Sequence, residues 1–432
     1  MTCTHVWPLA VIVVALLFLS MTRRCWRRVG QGRLPCVPRR CRHWRPRTPD
    51  DCAHCRQEGT LSPRALQTPG VRPWREGRSR RGAPRRIATE GYACHTPGCP
   101  YAGITDSQIH ALVADGHHGR TDHIQDFTCQ ACGHRVSARR GTALLQLKTP
   151  PARVGEVLSA LAEGISVGAA VRVFGHGEAT ITRWRDRAAQ QAARLHLQFV
   201  RDLHLPHVQL DEIRTRLRPR DRVLWLWLAL DPKTKLIPAL ALGARTQRTA
   251  HTLVHRLRGT LAAGCTPVIT TDGLRLYFYA LTAHFGSWVT TGRRRHWQVD
   301  PRLVYGQLHK RYQRRRLVRI RYQMGCGSRR ALQAALRTLG WSGRLQTAFV
   351  ERLNLTVRQS VAALTRRTWA TAQTAAGLQR QVEWWRAYYH FVRPHRSLRQ
   401  HKGACTPAMA AGRTARRWTV VDLLAYPCAP AT

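Results

Sequence analysis

Acidic side chains are scarce in this chain. Its 432 residues hold 23 Asp+Glu against 71 Lys+Arg, a formal net charge of +48, which excludes an ordinary metabolic enzyme acting on small neutral substrates. No long-range internal repeat is present, which sets aside solenoid architectures. The one long apolar run has no basic stretch before it and no small-x-small site after it, which argues against a cleaved signal peptide. Apolar residues, by contrast, are plentiful. Hydrophobic types make up 44% of the chain and include 14 Trp, too much for a disordered basic tail and enough for a large core. At about 100–200 residues per domain this length suggests two to four domains. A folded protein with so positive a field selects a polyanion, and nucleic acid is the commonest. The alternatives are a charge that serves solubility or a surface drawn to acidic lipid.

The 14 cysteines fall into short pairs near the N-terminus and isolated residues such as Cys265, Cys326 and Cys405. That usage predicts metal ligands plus buried thiols in a reducing cytosol. Cys94-x4-Cys99 and Cys129-x2-Cys132 are two knuckles, with Gly98 and Gly133 where tight turns need them. Two such pairs can supply the four thiolates of a closed tetrahedral zinc site, with His95 or His134 as a variant ligand. Upstream, Cys36-x4-Cys41 and Cys52-x2-Cys55 repeat the spacings and form a candidate second zinc site.

Residues 1–24 contain the apolar run VWPLAVIVVALLFLSM, followed by Arg23, Arg24, Arg27 and Arg28. The run is short for a membrane span. It reads either as a single-pass anchor with the arginines on the cytoplasmic side, as a misassigned start, or as a core helix. Residues 25–88, rich in Arg and Pro, read as a basic arm or linker, and residues 89–142 hold the Cys knuckles. Residues 148–198 carry apolar residues at helical spacing: Val154, Val157, Leu158 and Leu161 on one helix, a second helix capped by Ser166 and closed at Gly175, and a third from Glu178. Thr180, Thr182, Arg183 and Arg185 beside Ile181 and Trp184 fit a recognition helix for the major groove, the alternative being a three-helix connector with a solvated basic face. From 203 to 400 strand-like runs alternate with helices, the mark of a mixed α/β domain, and 401–432 form a C-terminal tail.

In so basic a domain a carboxylate inside apolar sequence needs a reason. Asp211 follows HVQL at the polar end of a strand-like run, and VLWLWLALD and LIPALALG, apolar on both faces, predict central strands. Asp272 ends the buried strand PVITTDG. Glu351 lies on a helix whose face also carries Asn354, Leu355, Arg358 and Ala362. Glu212, next to Asp211, points to the opposite face and is the poorer ligand; Asp231 heads the turn DPKTK. Three converging carboxylates would hold two Mg²⁺ for phosphodiester chemistry, although strand-end Asp residues also cap turns. The basic stretch between Asp272 and Glu351 mixes Trp297, Tyr305, Tyr312 and Tyr322 among its arginines and reads as a DNA track or as a solvated loop with aromatic anchors. Trp384, Trp385, Tyr388 and Tyr389 read as core.

Together, LDEIRT, WLWLALDPKTKLIPALALG, TTDGLRLY, VERLNLTVRQSVAALTRRT and YYHFVRPHRSL resemble the core of DDE insertion-sequence transposases, of the insertion-sequence-one type. CQACGHRVSARRGT and AEGISVGAAVRVFGHGEATITRW resemble the zinc ribbon and helix-turn-helix that precede that core. The likeness spans residues 89 to 412. It implies an α/β fold: a ribonuclease H-like catalytic core preceded by a small zinc ribbon and an all-α helix-turn-helix domain. It further implies Asp211, Asp272 and Glu351 as ligands of two Mg²⁺ or Mn²⁺, and Asn354, Arg358 and Arg366 as residues that contact DNA phosphates or hold the helix. The expected activity is cleavage and strand transfer at element ends on double-stranded DNA, by a homodimer or larger assembly, in the cytoplasm at the nucleoid. The rival is an inactive DNA-binding regulator. The long interval from Asp272 to Glu351 and the N-terminal arm lie outside the family pattern.

Overall fold

The computed structural model describes residues 91–428 apart from 107–108, 120–121, 219–222, 315, 344 and 399–402. The apolar run, the basic arm and the Cys36, Cys41, Cys52 and Cys55 set lie outside the described residues. So does the side chain of Tyr312. Among the described residues the chain divides into two compact units, one of 91–115 with 127–136, the other of 116–126 with 137–428. Strands β1 (Leu112–His118), β2 (Ile124–Cys129) and β3 (Arg135–Ser137) form a three-stranded sheet in that order.

Three helices follow, α1 (Pro151–Ala162), α2 (Val167–Phe174) and α3 (Glu178–Phe199). Proline begins α1, where its missing N–H leaves no bond unmade. The Ser166 hydroxyl accepts from the Ala169 amide at 3.2 Å to cap α2, and Gly175 closes that helix with a φ of 72°. Val154, Val157, Leu158, Ala170, Ile181 and Trp184 fill a shared core. That core also takes in Trp384, Phe391, Trp418, Leu423 and Leu424, so residues 403–428 contribute packing far from their place in the sequence. The Trp384 indole donates to the Leu158 carbonyl at 2.9 Å.

A mixed six-stranded sheet forms the rest. Its strands are β4 (His207–Arg216), β5 (Val223–Leu230), β6 (Leu240–Gly243), β7 (Val268–Asp272), β10 (Tyr305–Gln313) and β11 (Arg316–Cys326), in the order β11-β10-β7-β4-β5-β6. A separate hairpin pairs β8 (Gly286–Thr291) with β9 (Arg294–Val299). β7 is parallel to β4 and β10, and the remaining pairs are antiparallel. This mixed sheet is consistent with a ribonuclease H-like integrase core. Helices α4 (Gln247–Thr260) and α5 (Leu276–His284) follow β6 and β7, and α6 (Arg329–Thr338), α7 (Ala348–Ser360) and α8 (Ala375–Ala387) follow β11. The run LIPALALG, expected as a central strand, forms only four strand residues at the sheet's edge, although Leu236, Ile237 and Ala239 remain buried.

Period-two alternation decides what each face covers. Trp227 and Ala229 of β5, with Leu210 of β4 and Ile269 of β7, pack with Leu253, Leu257, Tyr277 and Leu281 of α4 and α5. Leu226, Leu228 and Leu230 point the other way, onto Val350, Leu353 and Val357 of α7 and Leu378, Val382 and Trp385 of α8. Both faces are therefore dry, which is why β5 reads as one apolar run. Trp227 and Trp385 are among the largest fully buried side chains, and truncating either to Ala would cost about 3–5 kcal/mol. Helix α7 stops at Ser360 and gives way to a single 3₁₀ turn at Ala362–Leu364, so Ala362 leaves the helical face expected for it.

Candidate active site

Asp211 and Asp272 come together because β4 and β7 run parallel. The last paired positions are Leu210 and Thr271, which puts the two aspartates level with one another. Leu210 packs on the α4–α5 side, so both aspartates turn to the α7 side. Asp211 stands mid-strand rather than at a strand end. Beyond Asp272, β7 stops while β4 continues to Arg216 and β10 to Gln313, and the missing strand length leaves a cleft. Gly273 marks the exit of β7, where any β-carbon would strike the His309 ring.

Glu212 departs from expectation. Its register partner is Trp227 and that of Asp211 is Leu228, so the two carboxylates do start from opposite faces. Yet ligand oxygens of Asp211, Glu212 and Asp272 all lie within 4.8 Å of one another. The Glu212 side chain is buried and stays with Tyr277 of α5, on the face opposite α7. Its oxygens are already occupied, Oε1 by Arg245 Nη2 at 2.6 Å and Oε2 by the Tyr277 hydroxyl at 2.9 Å.

Glu351 faces the same cleft, of about 720 Å³, whose walls include Asp211, Asp272, His309, Lys310 and Thr347. It does not join the tight carboxylate group. Its Oε1 accepts from Lys310 Nζ of β10 and from the Thr347 hydroxyl at 2.6 Å. Two further contacts seat α7. The Gln209 Oε1, two residues before Asp211 on the same face, accepts the Val350 amide at 3.0 Å, while its Nε2 donates to the Gln346 carbonyl at 2.7 Å. Asn354 Nδ2 donates to Asp211 Oδ2 at 2.7 Å.

The electrostatics divide the cleft. Burial first, then the charges of Asp272, Glu212 and Glu351, push the Asp211 carboxyl up to about 7. Burial and the Asp272 charge also raise Glu212 against the pull of Arg245 and Tyr277. Burial acts to raise Glu351 too, but Lys310 and Thr347 outweigh it and hold that carboxylate below its usual range. Like charges crowded without a counter-charge around Asp211 are what a bound cation relieves.

Residues 343–404 match the integrase core domain family. The match holds all of α7 with Glu351, Asn354 and Arg358, then α8 and the turn Arg396–Leu398. It supports a ribonuclease H-like integrase or transposase family, whose members are usually metal-dependent nucleotidyltransferases that use Mg²⁺ or Mn²⁺ on DNA. Among curated proteins, none matches the chain.

The four cysteines of the first unit also converge. Cys94, Cys99, Cys129 and Cys132 have their sulfurs within 4.8 Å of one another, with Cys94–Cys132 at 3.6 Å and Cys99–Cys129 at 3.8 Å. Four sulfurs bound about 2.3 Å from one tetrahedral zinc stand about 3.7–3.8 Å apart. Gly98 and Gly133 hold φ of 82° and 72°, which side chains resist, so each knuckle closes on its glycine. Burial pushes the Cys99 thiol up to about 11, an environment that favours a neutral thiol unless a metal takes the charge.

On α3, Arg183 is exposed and Thr180 and Thr182 are half-buried, with Ile181 and Trp184 in the core. Arg185 departs from the DNA-contact reading: it is buried, and both its Nε and Nη2 donate to Asp186. Arg358 likewise donates to the carbonyls of Leu364 and Arg214 at 3.3 and 3.2 Å, holding α7 to β4 instead of offering itself to phosphate. Arg366 is exposed, near the fully exposed Trp369. In the basic stretch Tyr305 is a core residue bonded to Thr271 at 3.0 Å, whereas Trp288, Trp297 and Tyr322 are exposed. Among the described residues no helix is long and apolar enough to cross a membrane.

Sequence reading missed Gln209, Lys310 and Thr347. Gln209 carried a signal, a polar residue inside an apolar strand. Lys310 carried none, because its role depends on β10 lying beside β7.

Proposed function

We propose that the protein is a DDE-type DNA transposase that binds the ends of its element and carries out metal-dependent strand cleavage and strand transfer. The observation that carries this reading is the placing of Asp211 and Asp272 level on parallel strands, with Glu351 across the same cleft on the helix that matches the integrase core family. Asp211, Asp272 and Glu351 would hold two Mg²⁺ or Mn²⁺ ions. The donor set fits, being all carboxylate oxygen, with Asp211 poorly compensated by positive charge. Bound there, such ions supply an activated water or 3′-hydroxyl and neutralise the leaving 3′-oxygen.

The chain's own residues set the geometry. Asn354 fixes which oxygen of Asp211 faces the cleft, Gln209 fixes the start of α7 and hence Glu351, and Arg245 with Tyr277 holds Glu212 beside the two aspartates. Lys310 keeps Glu351 ionised and ready as a ligand. No covalent protein nucleophile is required.

Cys94, Cys99, Cys129 and Cys132 are assigned to a structural zinc in a zinc ribbon, and α1–α3 to a helix-turn-helix in which Thr180, Thr182 and Arg183 face DNA. Arg366, exposed, adds a phosphate contact. Pairing two element ends calls for a homodimer or larger assembly, in the cytoplasm at the nucleoid.

The test is cleavage of DNA carrying the element's own ends with Mg²⁺ or Mn²⁺. Wild type cuts and Asp272→Asn does not, while both bind the ends. Tight binding with no cutting by either under any metal would make the protein a DNA-binding regulator instead.

A further inference from the structure

Away from the carboxylate cleft, three imidazoles meet where α4 packs on α5. His251 and His255 are four residues apart on α4, so they share one face of that helix. His284 is the last residue of α5. His251 Nδ1 lies 3.4 Å from His284 Nε2. The ring centroids of His251 and His255 each stand 5.4 Å from that of His284.

These distances are those of a shared metal ion. Two nitrogens bound about 2.0–2.1 Å from one tetrahedral zinc stand about 3.3–3.4 Å apart. The first pair of nitrogens is therefore already at ligand spacing. His255 is exposed, and one nitrogen from each of the three rings does not come within 4.8 Å of the others as the side chains lie, so the third ligand joins only when the His255 side chain turns.

We infer that His251, His255 and His284 form a second transition-metal site, a tri-imidazole site of the zinc class with its remaining position open to solvent. Imidazole nitrogen distinguishes this site from the hard oxygen ligands of the cleft and from the thiolates of the Cys cluster. An ion there clips α4 to α5. The second of these helices begins just after Asp272 and carries Tyr277, which holds Glu212, so the clip braces one wall of the cleft without entering it. The inference stands independently of the transposase reading.

The test uses the full chain, free of any histidine tag, loaded with zinc at its cysteines and then titrated with Co²⁺. Calorimetry reads stoichiometry and affinity, and the visible bands of Co²⁺ report nitrogen ligation. Wild type is expected to take up one ion more than the His251→Ala/His284→Ala variant. His255→Ala, at an exposed position that leaves the packing alone, should weaken that ion by at least the roughly 10–100-fold that loss of even an outer-shell partner costs. His296→Ala, on the separate hairpin, should leave uptake unchanged. Thermal midpoint should rise further with Co²⁺ in wild type than in His255→Ala, which keeps the carboxylate cleft. Equal uptake and affinity in wild type, His255→Ala and the double variant would overturn the site.

Discussion

The Cys cluster and the carboxylate cleft are both sets of convergent metal-type ligands, built in opposite ways. The cysteines come as two short pairs, each closed on its own glycine at Gly98 or Gly133, so most of the geometry is local. The carboxylates come from β4, β7 and α7, and are brought together only by strand order and helix packing. Thiolates at such spacing would close around an ion beside a small apolar core of Ile109, Leu112 and Phe127, whereas the cleft opens on a large core that needs none. Removing ligands should therefore unfold one region and merely silence the other.

The sharpest way to break that contrast is at the cysteines. Cys129→Ser, or a strong chelator on wild type, should release one zinc per chain and unfold the Cys unit, since structural zinc contributes about 10–16 kcal/mol in small zinc domains. Zinc release followed with a chromophoric chelator, beside proteolysis of residues 91–136, checks this. The mixed sheet should survive with unchanged far-ultraviolet dichroism. Collapse of the sheet as well would erase the distinction.

At the cleft the expected effect is kinetic. Asp272→Asn should lower cleavage by at least about 10²–10³-fold with folding and end binding intact, as measured by gel assays and melting. Asn354→Ala should act through Asp211. It leaves the ligand in place but frees its orientation, and should reduce cleavage about 10–100-fold. Rescue in part by Asn354→Gln, or by raised Mn²⁺, would sharpen the case for positioning; loss that no metal concentration restores would make Asn354 a substrate contact instead.

The contrast also explains what could be read from sequence. Knuckle spacing alone named the four cysteines, a continuous apolar run found the central strand β5 but misplaced β6, which lies at the edge, and 3.6 periodicity found α7 and the three helices of residues 148–198. Carboxylate scarcity together with family resemblance named Asp211, Asp272 and Glu351. What sequence patterns did not reveal were contacts that form only when side chains pack. Arg185 reads as a DNA contact but is buried against Asp186, and Arg358, which the resemblance assigns to phosphates or to holding the helix, bonds two backbone carbonyls. Tyr305 looked like a stacking residue and is core. Glu212 starts on the expected face, yet its oxygens still lie within 4.8 Å of those of Asp211 and Asp272.

The smallest effect is on stability, and its sign follows from Asp211. The folded protein holds this carboxyl near 7, above the roughly 3.9 of an unfolded chain. Below about pH 4 it is protonated in both states and costs nothing. As pH rises towards 7 the unfolded chain ionises first, so folding loses stability, and above about 7 the full cost of a buried charge is present. Without divalent metal, Asp211→Asn should therefore be more stable than wild type by about 1–3 kcal/mol at pH 8, with the difference fading to nothing near pH 4. Adding Mg²⁺ should stabilise wild type and not the variant, because the cation supplies the missing counter-charge. Denaturant melts across that pH range decide it. A wild type that is the more stable form at pH 8 without metal would mean that Asn354 and the Glu212 amide already satisfy the carboxylate, and that the cleft does not wait for a cation.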